Sequence, residues 1–226
     1  MGSFLEIKNL SKCVKKHYIL KNINLSVYKG EIIGIIGLNG SGKTTLFKSI
    51  LGLISYSGDI YIEKENINNK HYKKCGFMIE NPSLYNNMTG YENLLYWSKF
   101  YDNISEHDIN ELLKLVQLED KKKKVRNYSL GMKQRLSFCI AVIHKPNLLL
   151  LDDPTNGLDI NAIVKIRKII QNMNNTSILI SSHDINELIN ICNRIILIKN
   201  GQVVKEISKN SFRELNQNYI LDILGC

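Results

Sequence analysis

No run of apolar residues in this 226-residue chain reaches the roughly 20 residues that a helix needs to cross a bilayer. Any membrane role is therefore expected to come through a partner. The start, Met1-Gly2-Ser3-Phe4, does not open a secretory signal, and Glu6 stands where N-myristoylation wants Ser or Thr. Cysteine pairs are missing too. The five cysteines (Cys13, Cys75, Cys139, Cys192, Cys226) are odd in number and scattered without a CxxC, which argues against zinc or redox chemistry and fits a reducing cytoplasm. There is no internal repeat and no low-complexity linker, so the length suits one α/β domain with an appended subdomain. What is plentiful is positive charge: the formal net charge is +9. An anionic partner would suit it, yet Lys, Asn and Ile are spread along the whole chain, so general residue usage accounts for much of the basicity.

Against that background one stretch stands out, Gly37-Leu38-Asn39-Gly40-Ser41-Gly42-Lys43-Thr44. It has the phosphate-loop pattern, in which glycines let successive N–H groups curl around phosphate oxygens. Lys43 then reaches the outer phosphates and Thr44 is placed to ligate Mg²⁺. The flanks agree. Glu31 to Ile36 is a short β-branched run that reads as a buried strand, and Thr45 to Leu51 has helical spacing. A helix N-terminus directly after the loop adds its partial positive charge to a phosphate site.

Taken in order, Phe4 to Leu10 and Ile23 to Tyr28 alternate apolar and polar residues and predict two strands of an antiparallel, half-exposed sheet. Ser57-Gly58-Asp59 reads as a turn before a third such strand, Ile60 to Ile62, and Cys75 to Ile79 as a buried strand that ends before Pro82. From Thr89 to about Gln117 the pattern is helical. Thr89 and Glu92 have capping-box spacing, and Ile109, Leu112, Leu113 and Val116 share a helix face. The aromatics here (Tyr85, Tyr91, Tyr96, Trp97, Phe100, Tyr101) read as a small core rather than a ligand box, with some left to meet a partner. The run Lys121 to Lys124 with Arg126 lacks the interleaved aromatics of a nucleic-acid groove and reads as a solvated loop. Beyond it, helices at about 131–144, 161–173 and 184–191 alternate with strands at 148–151 and 177–181, which implies a parallel sheet with crossover helices. Asn200-Gly201 marks a hairpin between strands 194–199 and 202–207, and an amphipathic helix closes the chain.

Leu148 to Leu151 is an apolar strand that runs into Asp152 and Asp153. A strand ending in acid is commonly structural. In a phosphate-loop protein, however, such an Asp supports the Mg²⁺ shell, and the acid beside it can orient or deprotonate the attacking water. Ser129, read in isolation, is an ordinary N-cap.

Tyr128-Ser129-Leu130-Gly131-Met132-Lys133-Gln134-Arg135 lies between the helical insert and the acidic strand. It is followed by Asp153-Pro154-Thr155-Asn156-Gly157-Leu158-Asp159 and then by Ser181-Ser182-His183-Asp184. This order of motifs resembles the ATP-binding cassette (ABC) ATPases over essentially the whole chain. The resemblance implies an α/β P-loop NTPase fold, an ABC nucleotide-binding domain over 1–226. It would carry an antiparallel β subdomain and an α-helical subdomain inserted at about 82–145. It implies ATP held by Gly37, Asn39, Gly40, Ser41, Gly42, Lys43, Thr44 and Thr45, and Mg²⁺ held near Thr44, Asp152 and Glu80. It places Asp153 at the attacking water, His183 at the γ-phosphate as a switch, and Ser129 and Gly131 at the γ-phosphate bound by a second ATP-binding subunit. It further implies a homodimer of cassettes on integral membrane permease subunits, at the inner face of the cell membrane, with no nucleic acid.

Three departures narrow the resemblance. Glu80 stands where most members have Gln, the signature reads Ser-Leu-Gly-Met, and Asp153 replaces the usual catalytic Glu. The first two resemble the bacitracin-resistance and lantibiotic-immunity subgroup, which implies export, or removal from the membrane, of a peptide antibiotic. Another exporter and a weakly hydrolysing regulatory subunit stay open. So does a ribosome- or DNA-acting ATPase, although those members carry paired cassettes or long coiled coils that this chain lacks. The third departure shortens the acid by a methylene, and a displacement of about 1 Å can lower a rate on the order of a hundredfold. The family's adenine-stacking place falls on Val14, with Tyr18 nearby.

Overall fold

The computed structural model of the chain describes residues 2–66, 74–79, 83–215 and 217–225. Two sheets share one core. The first is antiparallel and joins β1 (Leu5–Val14), β2 (His17–Val27), β4 (Ser57–Ile62) and β5 (Glu65–Asn66) in the order β2-β1-β4-β5. The second joins β3 (Ile32–Ile36), β6 (Cys75–Met78), β7 (Leu148–Asp152), β8 (Ser177–Ser181), β9 (Arg194–Lys199) and β10 (Gln202–Ser208) in the order β10-β9-β3-β8-β7-β6. All of its pairings are parallel except β9 with β10, as the βαβ alternation requires.

The helices are α1 (Lys43–Ile50), α2 (Gly90–Ser98), α3 (Glu106–Leu115), α4 (Leu130–Val142), α5 (Ile160–Gln171), α6 (Ile185–Ile189) and α7 (Gln217–Leu224). Because the larger sheet is covered on both faces, its strands are apolar throughout, and pleat parity divides them. Leu148, Leu150, Leu179, Ile196 and Ile198 pack with α1 and the antiparallel sheet, whereas Leu149, Leu151, Ile178, Ile180, Ile195 and Leu197 pack with α5, α6 and α7. Arg194 ties the layers at one end. It bonds Glu31 at 3.0 Å, Glu206 at 2.6 Å and the Ser26 carbonyl at 2.5 Å.

Between β6 and β7 the chain is helical, as the spacing predicts. Thr89 and Ser105 both close capping boxes, with Glu92 and Asp108. The insert's core, though, is aliphatic: Leu94, Ile109, Leu113, Val116, Leu118 and Leu136 fill it with Tyr128. The aromatics expected there mostly form an outer ladder instead. Tyr96 meets Tyr85, Trp97 and Phe100 edge-on at 4.7–5.8 Å, and Tyr85 and Phe100 are 40% and 52% exposed.

One turn expectation is corrected, and one turn that the spacing does not signal is found. Ser57-Gly58-Asp59 is not a turn but the start of β4, and the pairing with β1 slips between Lys8 and Ser11. Gly58 has φ +94, and a Cβ there would sit 2.5 Å from the Asn9 carbonyl oxygen, so glycine marks a bulge. Conversely, β1 and β2 run on to a tight turn at Lys15-Lys16, whose φ values of 46 and 68 come from residues that carry no turn signal. The cysteines Cys75, Cys139 and Cys192 are buried and unpaired, and burial pushes the Cys75 thiol up to about 12. Such thiols are packing residues.

Candidate functional site

The phosphate loop leaves the C-terminal end of β3 and turns into α1. The helix starts on Gly42, which has no side chain to cap it, so the first-turn N–H groups are left for an external acceptor. Lys43 is buried, and its Nζ donates to the carbonyls of Gly37 at 2.7 Å and Leu38 at 3.3 Å. Asn39 and Gly40 are exposed at the tip, and Thr45 is half-buried behind it. The back of the loop has no spare room. A Cβ on Gly37 would come within 2.4 Å of both the Ile198 carbonyl oxygen and Ser41 Oγ. The Ser41 carbonyl accepts from the Gly201 N–H at 3.0 Å, which ties the loop to the β9–β10 turn.

Across from the loop stands an acidic rim. The Thr44 hydroxyl donates to Asp152 Oδ2, while Ser181 Oγ donates to Asp152 Oδ1 at 2.5 Å. A hydroxyl and a carboxylate in contact are hard oxygen ligands suited to a divalent cation. Asp153, the next residue, has a left-handed backbone at φ 46, and its N–H donates to Ser181 Oγ at 3.0 Å. Its carboxylate lies 3.2 Å from His183 Nδ1, and that ring is exposed. Thr155 and Ser182 both donate to Glu187 Oε2, at 2.7 and 2.8 Å. This bond pair ties the segment after Asp153 to the segment before His183. A hollow of about 410 Å³ opens between Leu38, Asn39, Asp153 and His183 on one side and Ile220 and Leu221 of α7 on the other.

The structure thus gathers Gly37 to Thr44, Asp152, Asp153 and His183 at one end of the large sheet. Ser129 and Gly131 do not line that hollow. Ser129 caps α4 by accepting from the Met132 N–H, and Gly131 packs on the Gly157 carbonyl. Val14 sits 43% exposed at the end of β1, and Tyr18 is 57% exposed across the hairpin. Glu80 lies outside the described residues. Ser181, Ser182, Thr155 and Glu187 were not singled out as site residues by spacing. The available signal was register: β7 and β8 pair in parallel so that Asp152 stands beside Ser181.

A strand, an uncapped helix behind a glycine loop, and an acid on a nearby strand define a phosphate-loop nucleotide hydrolase. The ABC transporter family profile matches residues 20–156, more than half of the chain. A bacitracin transport ATP-binding protein of Enterococcus faecalis is 39% identical, with 97% of this chain and 74% of that protein covered. A lantibiotic transport ATP-binding protein of Streptococcus pyogenes is 38% identical over 96% of this chain and 97% of its own length. Among solved structures, the dimeric post-hydrolysis state of an ATP-binding cassette bound to ADP and Pi is similar. Its TM-score is 0.79 at 28% identity, covering 91% of this chain and 98% of that one. The chain belongs to the ABC transporter family. It is an ATP-binding, ATP-hydrolysing subunit, and none of its described helices is long and apolar enough to cross a membrane.

Proposed function

We propose that this chain drives a permease that exports a cationic peptide antibiotic, or clears it from the membrane, working from the inner face of the cell membrane. Support comes from the bacitracin and lantibiotic transport relatives, similar over nearly the whole chain. Two copies meet head to tail, each ATP lying between the phosphate loop of one and Ser129 to Gly131 of the other. In this reading Gly37 to Thr45 hold the phosphates. Thr44 and Asp152 would hold Mg²⁺, which would supply neutralisation of phosphate charge. The residues fit: a carboxylate and a hydroxyl in contact are the small protein share that Mg²⁺ takes beside substrate phosphates. Asp153 orients the attacking water, and His183, whose Nδ1 lies 3.2 Å from the Asp153 carboxylate, contacts the γ-phosphate.

Glu80 is assigned near the Mg²⁺ and toward the membrane subunit on the family resemblance alone. The permease's cytoplasmic helix docks beside the helical insert, where a groove of about 310 Å³ is lined by Phe77, Leu84, Trp97, Tyr101 and His144. The adenine stacks on Val14 or Tyr18. Val14 pairs with His17 and Cys13 with Tyr18, so the two candidates stand on opposite faces of the hairpin and only one can meet the base. Closure on ATP and release after hydrolysis move the permease.

The observation that carries the catalytic reading is the contact of Asp153 with His183 beside the phosphate loop. Asp153→Asn, produced with the cognate permease, is expected to lose on the order of a hundredfold in ATPase rate and to abolish peptide resistance. Parent-rate hydrolysis by that variant would sink the role of Asp153. Full hydrolysis without resistance to bacitracin or a lantibiotic would reassign the cargo. The short acid on a left-handed backbone also favours a second reading, a slow regulatory subunit. ATPase that stays low even with the permease present would select it.

A further inference from the structure

We propose that Ser181 is a positioning residue that sets both acids of the site at once, coupling the carboxylate that supports the metal to the one that orients water. The inference rests on the reading of Asp152 and Asp153 above. Ser181 is 0% exposed at the end of β8, directly beside Asp152 in the parallel register. Its hydroxyl has two partners and uses both of its functions. It donates to Asp152 Oδ1 at 2.5 Å and accepts from the Asp153 N–H at 3.0 Å.

Each bond does a different thing. With Oδ1 tied to Ser181, Asp152 turns Oδ2 toward the Thr44 hydroxyl, so the two ligand oxygens face each other. Outer partners of this kind fix the orientation of metal ligands. The second bond falls on a residue at φ 46, a conformation that side-chain-bearing residues keep only where their surroundings hold it. In that conformation the Asp153 carboxylate lies 3.2 Å from His183. A hydroxyl can donate to an anion and accept from an N–H together, whereas alanine does neither and a carboxylate only accepts. Ser177 supplies the contrast. It is equally buried at the other end of the same strand, but it bonds the Gly30 N–H and the Tyr28 carbonyl, both at 3.1 Å, away from the acids.

The test compares full-length Ser181→Ala and Ser177→Ala with the parent, produced with the permease. Steady-state ATPase is titrated with Mg²⁺, and ATP binding is measured by calorimetry with Mg²⁺ or with EDTA. Ser181→Ala is expected to lower kcat about tenfold and to shrink the Mg²⁺-dependent gain in ATP affinity about tenfold, leaving affinity in EDTA within about twofold of the parent. Ser177→Ala should move none of these. Ser181→Cys, close in size and a weak hydrogen-bonding group, keeps the strand packed and should shift the same quantities in the same direction. A parent-like Ser181→Cys overturns the proposal. So does a Ser181→Ala whose EDTA affinity falls as far as its kcat, since that reports damage to the fold. If Asp153→Asn hydrolyses at the parent rate, the Asp153 reading fails, and the Mg²⁺-dependent affinity gain then decides Ser181 through Asp152 alone.

Discussion

The phosphate loop and the acidic rim face each other across the same hollow but are built by different means. The loop is held by main-chain atoms: Lys43 is gripped by the Gly37 and Leu38 carbonyls, and Ser41 by the Gly201 N–H. The rim is held by side chains from other elements, with Ser181 on Asp152 and Asp153, and Glu187 on Thr155 and Ser182. Its chemistry-bearing residues come from two strands that meet only through sheet register. The loop therefore depends on an absence of side-chain atoms, and the rim on the presence of particular ones.

The sharpest way to break this contrast is at Gly37, where no side chain is made or lost except a methyl. Gly37→Ala places that methyl 2.4 Å from the Ile198 carbonyl, a main-chain atom of β9 that cannot swing aside. The loop must shift, and overpacking of this kind is worth about 3 kcal/mol, or roughly a hundredfold in affinity. ATP affinity by calorimetry should fall by that much while the far-ultraviolet dichroism stays that of the parent. An unaltered affinity would mean that the loop adapts as a side chain would, and the distinction would fail.

At the rim a smaller effect should follow chemistry rather than bulk. Glu187→Ala leaves the Thr155 and Ser182 hydroxyls without their shared acceptor. Losing such a bond is worth about 1 kcal/mol, so kcat should fall about fivefold with little change in ATP affinity. Glu187→Gln keeps an acceptor oxygen at the same reach and should stay within about twofold of the parent. If both variants are equally slow, the negative charge of Glu187 acts on the site, and the rim is held by field rather than by hydrogen bonds.

The same division explains what could be seen in the sequence. Eight consecutive residues specify the loop, and the capping box at Thr89 announces α2, because each is a local rule. The roles of Ser181 and Glu187 depend on which strand lies beside β7 and on where α6 begins, and no spacing within one segment encodes that. That some aromatic residues of the insert stay exposed was legible, but not that most of them do, since that depends on the aliphatic residues of α2, α3 and α4 filling the core. Glycine misled in one place, at Gly58. There it relieves a bulge inside β4, whereas the same residue between two β-rich runs ordinarily marks a turn.

The reverse case, a turn without glycine, gives the smallest expected effect and a gain instead of a loss. The β1–β2 hairpin turns at Lys15 and Lys16 with φ values of 46 and 68, whereas the β9–β10 hairpin uses Asn200 and Gly201 at 50 and 76. The two turns have nearly the same φ values, so residue type separates them. A side chain in the left-handed region is disfavoured by roughly 1 kcal/mol, partly offset because glycine makes the unfolded chain more flexible. Lys16→Gly should therefore raise the unfolding free energy by about 0.5 kcal/mol, read as a higher denaturant midpoint at an unchanged slope. A lower midpoint would show that the Lys16 side chain contributes packing at the hairpin. In that case side chains support the turn as they support the rim.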